Sequence, residues 1–111
     1  MQQITFDDFM KVELRIGIIV KVEDFPKARK PAYKLWIDFG EFGIKQSSAQ
    51  LTRLYNKEDL MDRLVVAVIN FPPRQVADFQ SEVLVLGAML ENDEVALLQP
   101  DRTVLLGARI A

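Results

Sequence analysis

The chain has 111 residues, a net charge of −2, and neither cysteine nor histidine. One domain fits that length, and a domain of this size buries roughly 60–70% of its unfolded surface, so it can fold without staples. Without cysteine there is no disulfide framework, thiol nucleophile or cysteine-based zinc site; without histidine the commonest general base and transition-metal ligand are missing.

Those absences argue against an enzyme, and no cofactor or metal is expected. Residues 1–10 carry acids and no long apolar run, unlike a signal peptide or a membrane span. A cytoplasmic location without membrane insertion is the expectation. Residues 27–75 are net +4, between a net −2 start and a net −4 end. Such a basic middle suits an anionic polymer, or is an unevenly charged solvated surface.

Residues 5–12 predict a short helix. Thr5 caps it, Asp8 follows three residues on, and Phe6, Phe9 and Met10 fall on one side. A helix this short must dock that stripe on something. Residues 12–24 predict a long strand with Val12, Leu14, Ile16, Ile18, Val20 and Val22 on one buried face. Gly17 in its middle marks a bend or a close backbone approach. The loop 25–32 follows, with Lys27, Arg29 and Lys30 forming the densest basic cluster in the chain.

Residues 33–40 predict a strand with Tyr33, Leu35, Ile37 and Phe39 on one face and Lys34, Trp36 and Asp38 on the other. An aromatic beside a lysine on an outer strand face suits stacking of single-stranded nucleic acid, the apolar part of a bound peptide, or ordinary packing. A turn at 41–43 leads to a polar strand at 44–50, whose Lys45 and Ser48 offer hydrogen-bonding groups. Residues 51–60 predict a short helical or turn segment. The runs 64–71 and 83–88 read as strands buried on both faces. Between them, Pro72 and Pro73 lack the N–H that strand pairing needs, and Asn70, Arg74 and Gln75 cluster as a polar site at the sheet's end. Phe79 is expected to anchor this crossover to the core. Short strands at 94–98 and 103–106 complete the pattern.

This order predicts a mainly β fold: a five-stranded barrel of the oligonucleotide/oligosaccharide-binding (OB-fold) type, with a short N-terminal helix and a C-terminal β extension. The whole of 1–111 is one domain in this reading, with 1–12 as helix and dimer segment and 90–111 as the extension.

Three long stretches carry a resemblance: V-E-L-R-I-G-I-I-V-K-V-E-D-F-P-K-A-R-K-P-A-Y-K-L-W-I-D-F-G, K-Q-S-S-A-Q-L-T, and V-V-A-V-I-N-F-P-P-R-Q-V-A-D-F-Q-S-E-V-L-V-L-G-A. They are similar to the CsaA family of protein-export chaperones. That family belongs to a wider tRNA-binding-domain group with the dimeric tRNA-binding protein and the C-terminal domain of methionyl-tRNA synthetase. The tRNA-binding relatives carry a histidine where this chain has Phe25, and their S-G-I is here Ser48-Ala49-Gln50, departures that favour the CsaA side. The resemblance implies a homodimer built with terminal segments, and binding of unfolded or presecretory polypeptides, with tRNA as the alternative ligand. Carried over position by position, it puts Lys34, Lys45, Ser48, Asn70, Arg74 and Ser81 on the binding face, beside Trp36. Phe6, Phe9 and Met10 are the expected dimer contact. Binding is expected to be independent of ATP, which fits the absence of a phosphate-binding G-x-x-x-x-G-K run.

Overall fold

The computed structural model describes all 111 residues. Helix α1 (Phe6–Met10) precedes strand β1 (Leu14–Asp24), β2 (Tyr33–Asp38), β3 (Ile44–Ala49), helix α2 (Lys57–Leu60) and β4 (Leu64–Val68). There follow β5 (Arg74–Val76), β6 (Phe79–Ser81), β7 (Leu84–Val85), β8 (Gly87–Met89) and β9 (Val95–Leu97). Five strands pair in the order β3-β2-β1-β4-β7, every pair antiparallel. The sheet curls into a nearly closed barrel, as its element order predicts. Its last gap, between β3 and the chain before β7, is bridged partly by side chains. The Glu82 N–H donates to the Gln46 carbonyl at 2.8 Å, the Gln46 N–H to the Glu82 carboxylate at 2.9 Å, and the buried Ser47 hydroxyl to the Val83 carbonyl at 3.0 Å.

The core follows from strand alternation in β2: Tyr33, Leu35, Ile37 and Phe39 are all buried. In β1 the simple alternation fails. The pairing with β2 runs Ile18–Asp38 and Ile19–Ile37, then skips Val20 to Lys21–Trp36. This bulge inserts one residue and reverses the phase. Ile19 therefore joins the core and Val20 is left exposed, contrary to the continuous face expected over 12–24. Gly17 does mark a close approach, since a Cβ there would lie 2.5 Å from Ile37 Cγ2 and 2.7 Å from the Phe39 ring.

Ile16 is buried on the other face, where the C-terminal segment runs alongside β1. Its N–H donates to the Ala108 carbonyl at 3.0 Å, and the Gly107 N–H donates to the Ile16 carbonyl at 2.8 Å. Residues 103–106 are not the strand expected there. The pairing segment lies just beyond, after Gly107 turns with φ +87°.

β4 is buried on both faces as its apolar run predicts, with Val65 through Val68 all covered. The run 83–88 is not. It pairs with β4 through only two residues, then switches at Leu86 to a separate hairpin, β8–β9, and Leu84 stays 48% exposed. No helix is long and apolar enough to cross a membrane.

Helix α1 has the predicted cap: Thr5 Oγ1 accepts from the Asp8 N–H at 3.0 Å, and the Asp8 carboxylate accepts from the Thr5 N–H at 3.1 Å. That second bond holds the Asp8 carboxyl below its ordinary pKa. The stripe is not docked within the chain, because Phe6 is 73% exposed and Met10 38%, with only Phe9 half-buried.

Candidate binding site

The polar segment after Pro73 folds back as the hairpin β5–β6, turning at Ala77 with φ 51°. Sequence signals miss this turn because neither glycine nor asparagine occupies it. Phe79 anchors the hairpin as expected. It is buried with Phe25 and Ala32 in a second, smaller core, with ring centroids 5.5 Å from Phe25 and 5.8 Å from Trp36, both edge-on. This cluster fixes the hairpin and the basic loop 25–32 against the outer face of β2.

The arrangement sorts the expected site residues. Trp36 is half-buried rather than an open stacking platform: Phe79 meets it edge-on, and the Lys21 ammonium lies 4.6 Å from its ring centroid. Lys34 shares that outer face, its ammonium 4.9 Å from the Phe25 centroid and 5.3 Å from that of Phe79, a cation–π arrangement. Lys45 does not belong with them. It pairs with Ile37, so the strand register sets it on the core side, out of phase with Gln46 and Ser48. Asn70 is also removed from the face. Its Oδ1 accepts from the Glu13 N–H at 2.9 Å and its Nδ2 donates to the Lys11 carbonyl at 2.7 Å, so both ends of the amide hold the segment after α1.

Ser48, Arg74 and Ser81 do come together. Arg74 faces Ser81 across the hairpin, and the Ser81 hydroxyl accepts from the Ser48 N–H at 3.0 Å. Two concave surfaces meet there. One is a cleft of about 290 Å³, whose walls include Phe71, Pro72, Val83 and Leu84, with Ser48 and Arg74 on its rim. Phe71 is 52% exposed. The sequence does carry a sign of this cleft: an aromatic before two prolines has no neighbouring strand to cover it. The other is a broad groove of about 900 Å³ lined by Lys27, Arg29, Lys30 and Arg74, again with Ser48 in its wall and no acidic side chain in its lining.

Charge in the groove is uneven. Lys27 is bound to Asp78 at 2.8 Å. That hydrogen bond and the opposite charge raise the lysine's pKa and lower the carboxyl's. Arg29, Lys30 and Arg74 enter no ion pair. A third charged cluster lies elsewhere. Glu13 accepts from Arg15 at 2.8 Å and meets Arg109 at 2.8 Å, while Arg109 donates to the Met10 carbonyl at 3.1 Å and Arg15 to the Gly107 carbonyl at 3.2 Å. This joint ties both chain ends to β1 and has no part in the grooves.

A barrel of this strand order, with a cationic groove and an apolar cleft along one edge, defines a binding domain of the oligonucleotide/oligosaccharide-binding type. A family model described as a tRNA binding domain matches residues 14–109. Chaperone CsaA from Bacillus anthracis is 52% identical, with a TM-score of 0.95 over 99% of this chain and 100% of that one. The CsaA chaperone protein from Picrophilus torridus is 53% identical, with a TM-score of 0.92 over 98% of this chain and 100% of that one. Methionine–tRNA ligase from Thermococcus onnurineus is 41% identical over 98% of this chain, which spans only 14% of that enzyme's length. The chain belongs to the tRNA-binding domain family and, within it, to the CsaA branch.

Proposed function

We propose that this chain is a CsaA-like chaperone that binds unfolded or presecretory polypeptides without ATP. It works as a cytoplasmic homodimer whose subunits join through residues 1–12 and the extension 90–111. The observation that carries this reading is the cleft between Pro72 and Leu84, whose apolar rim stays open to solvent where Phe71 and Leu84 stand half-exposed. An open apolar cleft with Ser48, Ser81, Arg74 and Glu82 also in its lining suits an extended chain with apolar side chains. The exposed Ile4, Phe6 and Met10 at one end of the chain and Met89, Leu90 and Leu105 at the other supply apolar surface for a second subunit. Fold alone would not decide the function, since one barrel hosts many ligands; the names of the CsaA relatives support the chaperone side.

Trp36 reports on the hairpin through Phe79, so its emission is the test. Titration with a reduced, unfolded polypeptide is expected to shift that emission equally at low and high salt. A flat titration at both salt concentrations would overturn the chaperone reading.

A second reading has its own observation: Arg29, Lys30 and Arg74 line one groove with no carboxylate of their own. Such a groove suits the phosphates of tRNA. Binding there is expected to weaken with a log–log salt slope of about 0.7–0.9 per phosphate contacted.

A further inference from the structure

We infer that polypeptide and tRNA exclude one another on this chain, because the apolar cleft and the basic groove are two arms of one site hinged on Ser48 and Arg74. The inference rests on both ligand readings above and adds the relation between them. Ser48 and Arg74 line both surfaces. Arg74 is the only cation in the wall of the apolar cleft; Glu82, the one carboxylate there, accepts from the Gln46 N–H at 2.9 Å and forms no ion pair with it.

The exclusion is one of space and of shared contacts. A phosphate backbone lying along Lys30, Arg29 and Arg74 recruits the Arg74 guanidinium and lays sugar and phosphate across the mouth of the cleft. A polypeptide seated between Phe71 and Leu84 fills that same mouth and covers Arg74 and Ser48, so the two ligands need the same space and the same contact residues. The hairpin β5–β6 cannot yield to admit both. Phe79 pins it in the smaller core, and its neighbour Glu82 is hydrogen-bonded to β3 from both backbone and side chain.

The test uses the whole protein and a fluorescent peptide of leucine, alanine and serine with no charged side chain, so that attraction to the basic groove plays no part. Peptide anisotropy is followed at rising concentrations of tRNA. Exclusion predicts an apparent Kd that grows linearly with tRNA, reaching about a 100-fold increase when free tRNA stands at 100 times its own Kd. A peptide Kd that stays constant, or rises a few-fold and then levels off while both ligands remain bound, would overturn the inference and leave both readings standing. A peptide that fails to bind in the absence of tRNA overturns the chaperone reading. A tRNA that fails to bind in the absence of peptide overturns the tRNA reading. The inference falls with either.

Discussion

The two cores of this protein differ in what they hold. The larger one packs ten buried side chains, among them Ile19, Leu35, Ile37, Phe39, Leu60 and Val65, inside the barrel. The smaller one, Phe25, Ala32 and Phe79 with Trp36 against them, lies outside the barrel and holds the hairpin and basic loop that build the grooves. The larger therefore sets whether the chain folds, and the smaller sets the shape of the binding surface. Substitutions in the two should separate stability from ligand affinity.

Leu35→Ala tests the first half of that contrast. The side chain is fully buried at the centre of the barrel, and truncation should cost about 4 kcal/mol. A urea midpoint little changed would show that the barrel core is less decisive than its packing implies. Phe79→Ala tests the second half. It should cost about 3 kcal/mol, near the lower end for a buried phenylalanine, because the cluster holds only three buried residues. Its larger consequence is a loss of both ligands from a chain whose circular dichroism remains that of a folded barrel. Retention of full affinity would mean that the hairpin is held in place by other contacts.

Gly17→Ala probes the barrel from inside with one extra carbon. That carbon would meet Ile37 and Phe39 at less than 3 Å, and overpacking of this kind costs about 2 kcal/mol. Thermal denaturation measures it, with tRNA and peptide affinity of the folded protein unchanged. Within the groove, Arg29→Ala should lower the tRNA salt slope by about 0.9 and leave the uncharged peptide's affinity unaltered. An unchanged slope would take the phosphates away from the loop.

The Glu13 joint belongs to neither core and offers a pH test of its own. The hydrogen bond from Arg15, and secondarily the charge of Arg109, hold the Glu13 carboxyl below the usual glutamate range. A carboxyl depressed in the native state binds fewer protons folded than unfolded. Its stabilising contribution is therefore complete above the ordinary glutamate pKa and is lost as pH falls through the depressed native value. Glu13→Gln should remove that part of the acid dependence and loosen both chain ends, seen as faster amide exchange at residues 10–13 and 107–110. Parallel acid limbs in the two proteins would show that Glu13 contributes nothing.

Much of this was legible beforehand. The alternation of β2, the buried run of β4, the cap at Thr5, the narrow space at Gly17 and the anchoring role of Phe79 are all local consequences of side-chain periodicity, capping chemistry or the special character of proline and glycine. The first three depend on residues close together in the chain; Gly17 and Phe79 are marked by residue type alone, and only the fold supplies their partners, Ile37 and Phe39 for the one and Phe25 and Trp36 for the other. Three further features depended on partners far away. A bulge at Val20 turned half of β1 over, and nothing in an uninterrupted apolar pattern announces an extra residue. Lys45 and Asn70 carry the right chemistry for a binding face, but register turned the first inward and the backbone after α1 occupied the second. Leu84, read as core, stayed at the surface because its strand found a partner for only two residues.

The amino-acid sequence by itself determined the class of fold and the residue types available for binding, which follow from periodicity and composition, and the family, which follows from the resemblance carried by three long stretches. Only the tertiary structure decided which of those residues meet. The joining of Ser48, Arg74 and Ser81 at the junction of two grooves requires contacts across more than twenty residues of chain, and no local preference encodes such a distance.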